Sequence, residues 1–502
     1  MGTIIAGLSR IPLALWAWWG LGLLSVLWSL TPANTLVLGL WELAYLAAFA
    51  AGGWLAGLVG LNLALLGYGL LTTLTLAWSG LVMYFSGSAH YVAGAQALVL
   101  LPLGMVWMFR GWPLLAGILL TGALYMALMS AARAVYLPLG AMAFLLVWRL
   151  WREGVAPWRL GVGLGAVLLA VIGIDSLLPF SPIESALGLK ASLARQTQDL
   201  AAEGSFGSRL QMWAQTLHIA LEAPFGTGNG SFRDVLAAYQ QYPGVLFSNA
   251  HNYYLEAAAT GGWLRLLLLL GVLGWVLWRG WNSSAWPWAL GAAGLWATLA
   301  FDITGMYPAV MMLAFASLGA VYRQILGSEG SDACTKPKWG LAVSLVGIGL
   351  GVGLAVWWYW PCAPHCARHL GYRPEVLAEA ARLSGAERAT LLEKAARLNP
   401  KSLWVYRAKL QFAQTPEEQL ATLSQINRAF PLASPSYYLQ QARLAAQLGR
   451  KAEAIAALEA GLKRFPPGIR PAGTPLDEQV RKSYQDWSVQ APELLKELQS
   501  AE

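Results

Sequence analysis

Charged side chains are scarce in this chain of 502 residues, at 12%, against 57% hydrophobic residues and a mean hydropathy of +0.49. That balance excludes a globule that water solvates on every side. Cysteine is nearly missing, with three residues, so a disulfide-built scaffold is excluded as well. Cys334 stands alone, while Cys362 and Cys366 in PCAPHC, with His365 and His369, leave open a local disulfide, two free thiols or a metal pair. A CxxxC spacing is not one that structural zinc sites usually use. Lys and Arg outnumber Asp and Glu by 34 to 26, for a net charge of +8, but no basic stripe interleaved with aromatics appears. Nucleic acid is therefore not an expected partner. The glycine-rich GTGNG, Gly226–Gly230, is not followed by the Lys-Ser/Thr of a phosphate-binding loop, and no strand pattern precedes it. A nucleotide loop is thus excluded.

What the chain has instead is apolar length. About eleven runs of roughly 17 to 25 residues are each long enough to cross a hydrocarbon core. They fall near 11–30, 36–58, 61–83, 91–109, 112–130, 134–150, 158–178, 263–279, 286–303, 306–325 and 339–360. The expected fold class is all-α: a polytopic transmembrane helical bundle over 1–360, followed by a helical domain over 361–502. Arg10 precedes the first run without a small-residue cleavage site after it, so that run reads as a retained helix. Counting from a cytoplasmic N-terminus puts Arg110, Arg149, Arg152, Arg159, Arg279, Arg323, Lys336 and Lys338 inside, as short cytoplasmic loops require. The same count puts the long segment 179–262 and everything after Tyr359 outside. Arg133 alone breaks the pattern, at the outer face.

After the last run the composition turns to Ala, Leu, Glu, Arg and Gln in a helical pattern. Three related units begin at Leu391, Leu423 and Ala454, and each closes at a proline, Pro400, Pro431 or Pro466. The period is close to the roughly 34 residues of tetratricopeptide repeats, whose stacked helix pairs present a concave surface to a protein or glycan partner. A plain helical bundle is the competing reading.

The polar stretch between the two blocks of spans carries the chemistry. It contains SRLQMWAQTLHIALEAPFGTGNGSF from Ser208 and NAHNYYLEAAATGG from Asn249. An arginine, a Trp-bearing helix, a proline, a glycine-rich turn and a His-Asn pair opening a helix occur in that order. This arrangement resembles the O-antigen ligase and polymerase superfamily, and MSAARAVYL, with Arg133, is similar to the family's Ser-Arg motif except that Ala132 stands at the usual Ser position. Ala259 departs too, since family members often carry an acid two residues before the glycine.

The resemblance implies a membrane glycosyltransferase of the GT-C type, acting on glycans carried by undecaprenyl diphosphate at the external face of a bacterial plasma membrane. Its acceptor would be a lipid, a glycan or a protein. The residues meet that chemistry in their own right. Displacing a diphosphate from an anomeric carbon needs a base for the attacking hydroxyl and cations for the leaving phosphates. No DxD lies near His251 and acids are few, so arginine is expected to act where other transferases use a metal, and no cofactor is expected. Arg133 and Arg209 are the expected diphosphate-binding residues, because guanidinium grips phosphate bidentately. Against that stand an interfacial snorkelling residue for Arg133 and an ordinary loop cation for Arg209. His251 is the expected catalytic base, imidazole being the side chain whose ordinary pKa of about 6.5 lies near neutrality. Asn252 is a substrate-orienting residue or a helix cap. Arg265 is a third phosphate contact or a snorkelling residue, and His218 reads as packing. The glycines of GTGNG are expected to permit a tight turn joining the arginine- and histidine-bearing helices, with an anion nest as a lesser alternative. From other classes, a transporter or flippase of the same lipid-linked glycans would place ionisable groups near the midplane, whereas Asp175 and Asp302 fall near outer span ends. A non-catalytic scaffold would leave the His and Arg pattern unexplained.

Overall fold

The computed structural model describes residues 11–58, 89–110, 113–129, 133–177, 206–241, 249–301, 308–328, 383–398, 400–468 and 478–500. The expected spans 61–83 and 339–360, the loop section 179–205, Asp302 and the three cysteines lie outside the described residues. Every regular element that is described is a helix.

Among the described residues, twelve α-helices precede the C-terminal domain: α1 Leu13–Leu24, α2 Pro32–Leu58, α3 Ala89–Arg110, α4 Pro113–Met129, α5 Arg133–Arg152, α6 Pro157–Leu177, α7 Phe206–Glu222, α8 Phe232–Val235, α9 Tyr253–Gly261, α10 Trp263–Trp281, α11 Trp286–Thr298 and α12 Pro308–Ser328. Among the described residues, four stretches are long and apolar enough to cross a membrane: Asn34–Trp54, Val135–Arg152, Trp263–Trp281 and Val310–Gly327. Shorter apolar helices cover Leu13–Leu27, Gly94–Phe109, Ala116–Tyr125 and Pro157–Gly173. The bundle is a membrane protein by the sidedness of its surface as well, since Leu137, Phe144, Leu169, Ile172, Leu267 and Trp278 all face outward.

Two cores share this bundle. One gathers Trp18, Tyr45, Phe49, Trp296, Met311 and Phe315 from α1, α2, α11 and α12. The other joins α3 to α6 through Leu98, Leu120, Met142, Leu146 and Leu160. The closest pairing is α2 on α12, where a Cβ on Gly52 would fall on the Ala316 carbonyl and one on Gly319 on the Phe49 carbonyl. Small residues let backbones approach this far, and dispersion then holds helices that lipid itself does not push together.

The C-terminal domain comprises α13 Gly385–Leu398, α14 Leu403–Phe412, α15 Pro416–Ala429, α16 Pro435–Gln447, α17 Lys451–Arg464 and α18 Glu478–Ser500, each packed on its chain neighbour. Pro400, Pro431 and Pro466 follow α13, α15 and α17, as the repeat pattern predicts. Thr415 caps α15 by accepting the Glu418 amide while the Glu418 carboxylate accepts the Gln414 amide. Trp487 and Phe465 fill the centre. This domain rests on the polar segment of the bundle. Ser402 donates to Asp234 at 2.9 Å, Arg233 and Arg407 both lie over the Trp404 ring, and Ala237 packs with Leu403, Ile426 and Phe430. The Asn34 amide, at the start of α2, donates to the other oxygen of Asp234.

The packing of α2 on α12 predicts that Gly52→Leu prevents assembly of the bundle, whereas Gly140→Leu, at a position with open space around it, is tolerated. Recovery of monodisperse protein after detergent extraction separates the two outcomes.

Candidate functional site

The site is built where α7, α9 and the end of α11 meet. The turn Asn249–Asn252 is held through several backbone and side-chain hydrogen bonds. The Ala250 amide donates to the Glu256 carboxylate at 2.9 Å, the Ala250 carbonyl accepts from the Trp213 indole at 3.1 Å, and the His251 amide donates to the Asn249 side chain at 3.2 Å. Asn252 then caps α9, accepting the Leu255 amide at 3.0 Å, which is the capping alternative foreseen for it. His251 itself has φ of 48°, a left-handed conformation that costs a non-glycine residue roughly 1–3 kcal/mol and persists only where neighbours enforce it.

Arg209 lies one turn before Trp213 on α7. It donates to the Phe301 carbonyl at 3.1 Å, while the Tyr253 amide donates to the Leu299 carbonyl at 2.8 Å and the Tyr254 hydroxyl to that of Trp296 at 2.8 Å. The frayed end of α11 thus accepts from both the arginine helix and the histidine helix. Arg209 and His251 are brought to one end of the bundle by it.

Arg133 opens α5, and only its place on the helix is described. The far end of α5 adjoins the far end of α10, with Trp148 stacked on Trp281 and Arg149 between the Trp281 and Trp286 rings. Sixteen residues of helix separate Arg133 from Arg149, roughly 24 Å at 1.5 Å per residue. Met142 meets Gly294 further along α11, so α5 runs antiparallel to α11 and its first turn heads toward the Leu299–Phe301 end.

Arg265 has a different surrounding from the snorkelling one. It is 2% exposed, pairs with Glu42 of α2, donates to the Asn229 side chain at 2.8 Å and to the Trp18 carbonyl at 3.1 Å, and lies over the Trp18 ring. Gly22 supplies the space, since a Cβ there would meet the guanidinium and the Glu42 carboxylate. A charge this deep persists because an opposite charge and hydrogen bonds surround it.

Asn229 belongs to GTGNG, and that turn does join the helices as its glycines predict. Gly226, Gly228 and Gly230 all have positive φ, and a Cβ on the first would fall on the Thr260 carbonyl and on the second on Ser29. Its amides are spoken for: Thr227 donates to Ala259, Gly228 to Thr260 and Asn229 to the Ser25 hydroxyl. These amides therefore serve the packing of the turn against α9 and α1, which weighs against the anion-nest alternative. Ala259 is fully buried in this packing.

Sequence reasoning passed over Glu42, Asn229, Trp213 and Glu256. Glu42 carried a usable signal, being an acid inside an apolar run. Glu256 is the acid closest in sequence to the His-Asn pair. Burial pushes its carboxyl up from the usual 4.5 to about 7, against the opposing pull of the Ala250 amide.

Residues 115–270 match the family model described as O-antigen ligase. The matched segment runs from α4 into α10 and includes Arg133, Arg209, His251, Asn252 and Arg265. The chain is similar to that family over this segment, which supports an O-antigen ligase- or polymerase-like glycosyltransferase. No curated protein and no solved structure matches the chain.

Two outcomes follow from the buried charges. Arg265→Leu or Glu42→Leu alone should cost about 3–5 kcal/mol in detergent, and the double replacement clearly less than the sum, because each single change strands a charge. For Glu256, the folded pKa lies above the unfolded one. Its contribution is therefore most favourable below 4.5 and falls as pH rises toward 7, where the buried carboxyl must ionise. Glu256→Gln should raise the melting temperature over wild type by several degrees near pH 8 and by much less near pH 5.

Proposed function

We propose that the chain is a membrane glycosyltransferase that moves a glycan from undecaprenyl diphosphate to an acceptor at the external face of the bacterial plasma membrane. The similarity of residues 115–270 to O-antigen ligases is the premise. The observation that carries the mechanism is the tethering of Arg209 and the His251 turn to one helix end, Leu299–Phe301.

In this reading the acceptor hydroxyl gives its proton to the His251 imidazole as its oxygen attacks the anomeric carbon. The bond from that carbon to the phosphate oxygen breaks, the configuration inverts, and undecaprenyl diphosphate departs as an anion. Arg209 and Arg133 hold the growing negative charge, the part a divalent metal plays elsewhere. Arg209 now donates to a carbonyl, so it would exchange that bond for a phosphate oxygen when the donor arrives. Asn252 and Arg265 act at one remove. The first fixes the start of α9, and the second fixes Asn229 and hence the turn beneath it.

The count of about eleven spans, the N-terminus inside, and the polar segment and C-terminal domain outside belong to the same proposal. The contact of Ser402 with Asp234 supports it, because it requires those two parts to share one side. The C-terminal domain then stands beside the site as a tetratricopeptide-like platform for a protein or glycan partner. Ligase is the preferred activity, with polymerase or protein glycosylation distinguished by acceptor alone.

The test is purified protein, an undecaprenyl-diphosphate glycan and a panel of acceptors, followed by mass spectrometry with and without a chelator. One acceptor class should gain the mass of the glycan in either condition. His251→Ala should lower kcat by about a hundredfold or more, and Arg209→Lys should weaken donor use despite the retained charge. Full activity of His251→Ala would remove it as the base.

A further inference from the structure

The polar segment is expected to stand clear of the membrane, yet α7 is built inside out for water. Its outward stripe is Leu210, Ala214, Leu217 and Leu221, continued by Phe225, with the three leucines and Phe225 at 48%, 39%, 65% and 76% exposure. The spacing of three and four residues puts these side chains on one face. The inward face, by contrast, buries Gln215 and Thr216 completely beside Met212 and Ile219. Apolar outside and polar inside is the arrangement a helix adopts where its surroundings are hydrocarbon.

The stripe is also continuous with surfaces that lipid must cover. The Trp263 indole donates to the Ala220 carbonyl and the Trp263 amide to that of Pro224, which fastens the end of α7 to the first turn of α10. Leu264 and Leu267 of that crossing helix are 59% and 61% exposed next to it. On the other flank the Trp28 indole donates to the Gly226 carbonyl, and Leu24, Leu27 and Trp28 at the end of α1 are exposed too. Tryptophan in that place is what the boundary between headgroups and hydrocarbon selects.

We propose that α7 lies in the plane of the membrane, with the Leu210–Phe225 stripe immersed in the acyl chains of the outer leaflet. The occupant is bilayer lipid. Arg209, beside the first leucine of the stripe, then sits at headgroup depth, where a lipid-borne diphosphate would be. That last step rests on the function proposed above, whereas the immersion of α7 does not.

The test uses the full chain in lipid nanodiscs, with Cys334, Cys362 and Cys366 replaced and a nitroxide placed singly at Leu217, at lipid-facing Leu267 or at Val489, an exposed position on α18. Collisional relaxation by oxygen, which concentrates in hydrocarbon, is compared with that by a water-soluble nickel chelate. Leu217 is expected to follow Leu267, and Val489 to show the reverse. A Leu217 signal like that of Val489, or one shielded from both reagents by a second copy or another segment, overturns the proposal. As an arm without substitutions, a photoreactive acyl lipid should crosslink to the peptide containing Leu217, and its absence from that peptide alongside labelled α10 would count equally against it. For the link to chemistry, Leu217→Glu should raise KM several-fold for a long-prenyl donor and far less for a short-chain one. If no lipid-linked glycan is transferred at all, the functional reading falls while the relaxation result still decides where α7 lies.

Discussion

A guanidinium held deep in the bundle by a carboxylate, an amide and an indole ring orders the end of this protein that carries His251. Arg265 touches α1 through Trp18, α2 through Glu42 and the glycine-rich turn through Asn229. The turn in turn carries the carbonyl and amide contacts to the end of α9, so the register of the histidine helix depends on a charge that never meets solvent. Such a pair adds little net stability over apolar packing of the same shape. What it supplies is uniqueness, because any arrangement that separates Arg265 from Glu42 leaves two stranded charges. Gly22 shows how closely the surroundings are fitted to it, since even one added carbon would displace the pair.

The geometry around His251 has the same character on a smaller scale. A left-handed histidine is costly in isolation, and here the Ala250 peptide on its N-terminal side is pinned by Trp213 and Glu256. The strain is held by α7 acting on the carbonyl and α9 on the amide of one residue, Ala250. A side chain presented this way cannot drift as one on an open loop would, which suits the role of base proposed for His251.

Much of this was legible beforehand, and the reason differs between parts. The crossing helices follow from run length against hydrocarbon thickness, so the helices near 36–58, 134–150, 263–279 and 306–325 stand where composition put them. His251 and Arg209 were singled out through a motif, and the capping alternative for Asn252 through ordinary helix chemistry. The glycines of GTGNG announced a turn. Three things were not legible. Glu42 and Arg265 are partners across 223 residues, and nothing local to either identifies the other. Arg265 also sits two residues into an apolar run, where snorkelling is the cheaper reading until α1 and α2 are seen to enclose it. The orientation of α7 was hidden because a helical period reveals that two faces differ, and leaves open which of them the protein keeps.

The long separation between Glu42 and Arg265 has a bearing on how the chain is made. Glu42 enters the bilayer on the second apolar run, 223 residues ahead of the cation that will neutralise it. The closest neighbour of α2, α12, comes later still. For that whole interval the acid sits in a half-built bundle, at a real cost in lipid. The early helices are thus a waiting structure, and the arrival of α10 converts an intramembrane liability into the anchor of the end that carries His251. Completion of that end is therefore a late event in assembly, timed by the synthesis of one arginine.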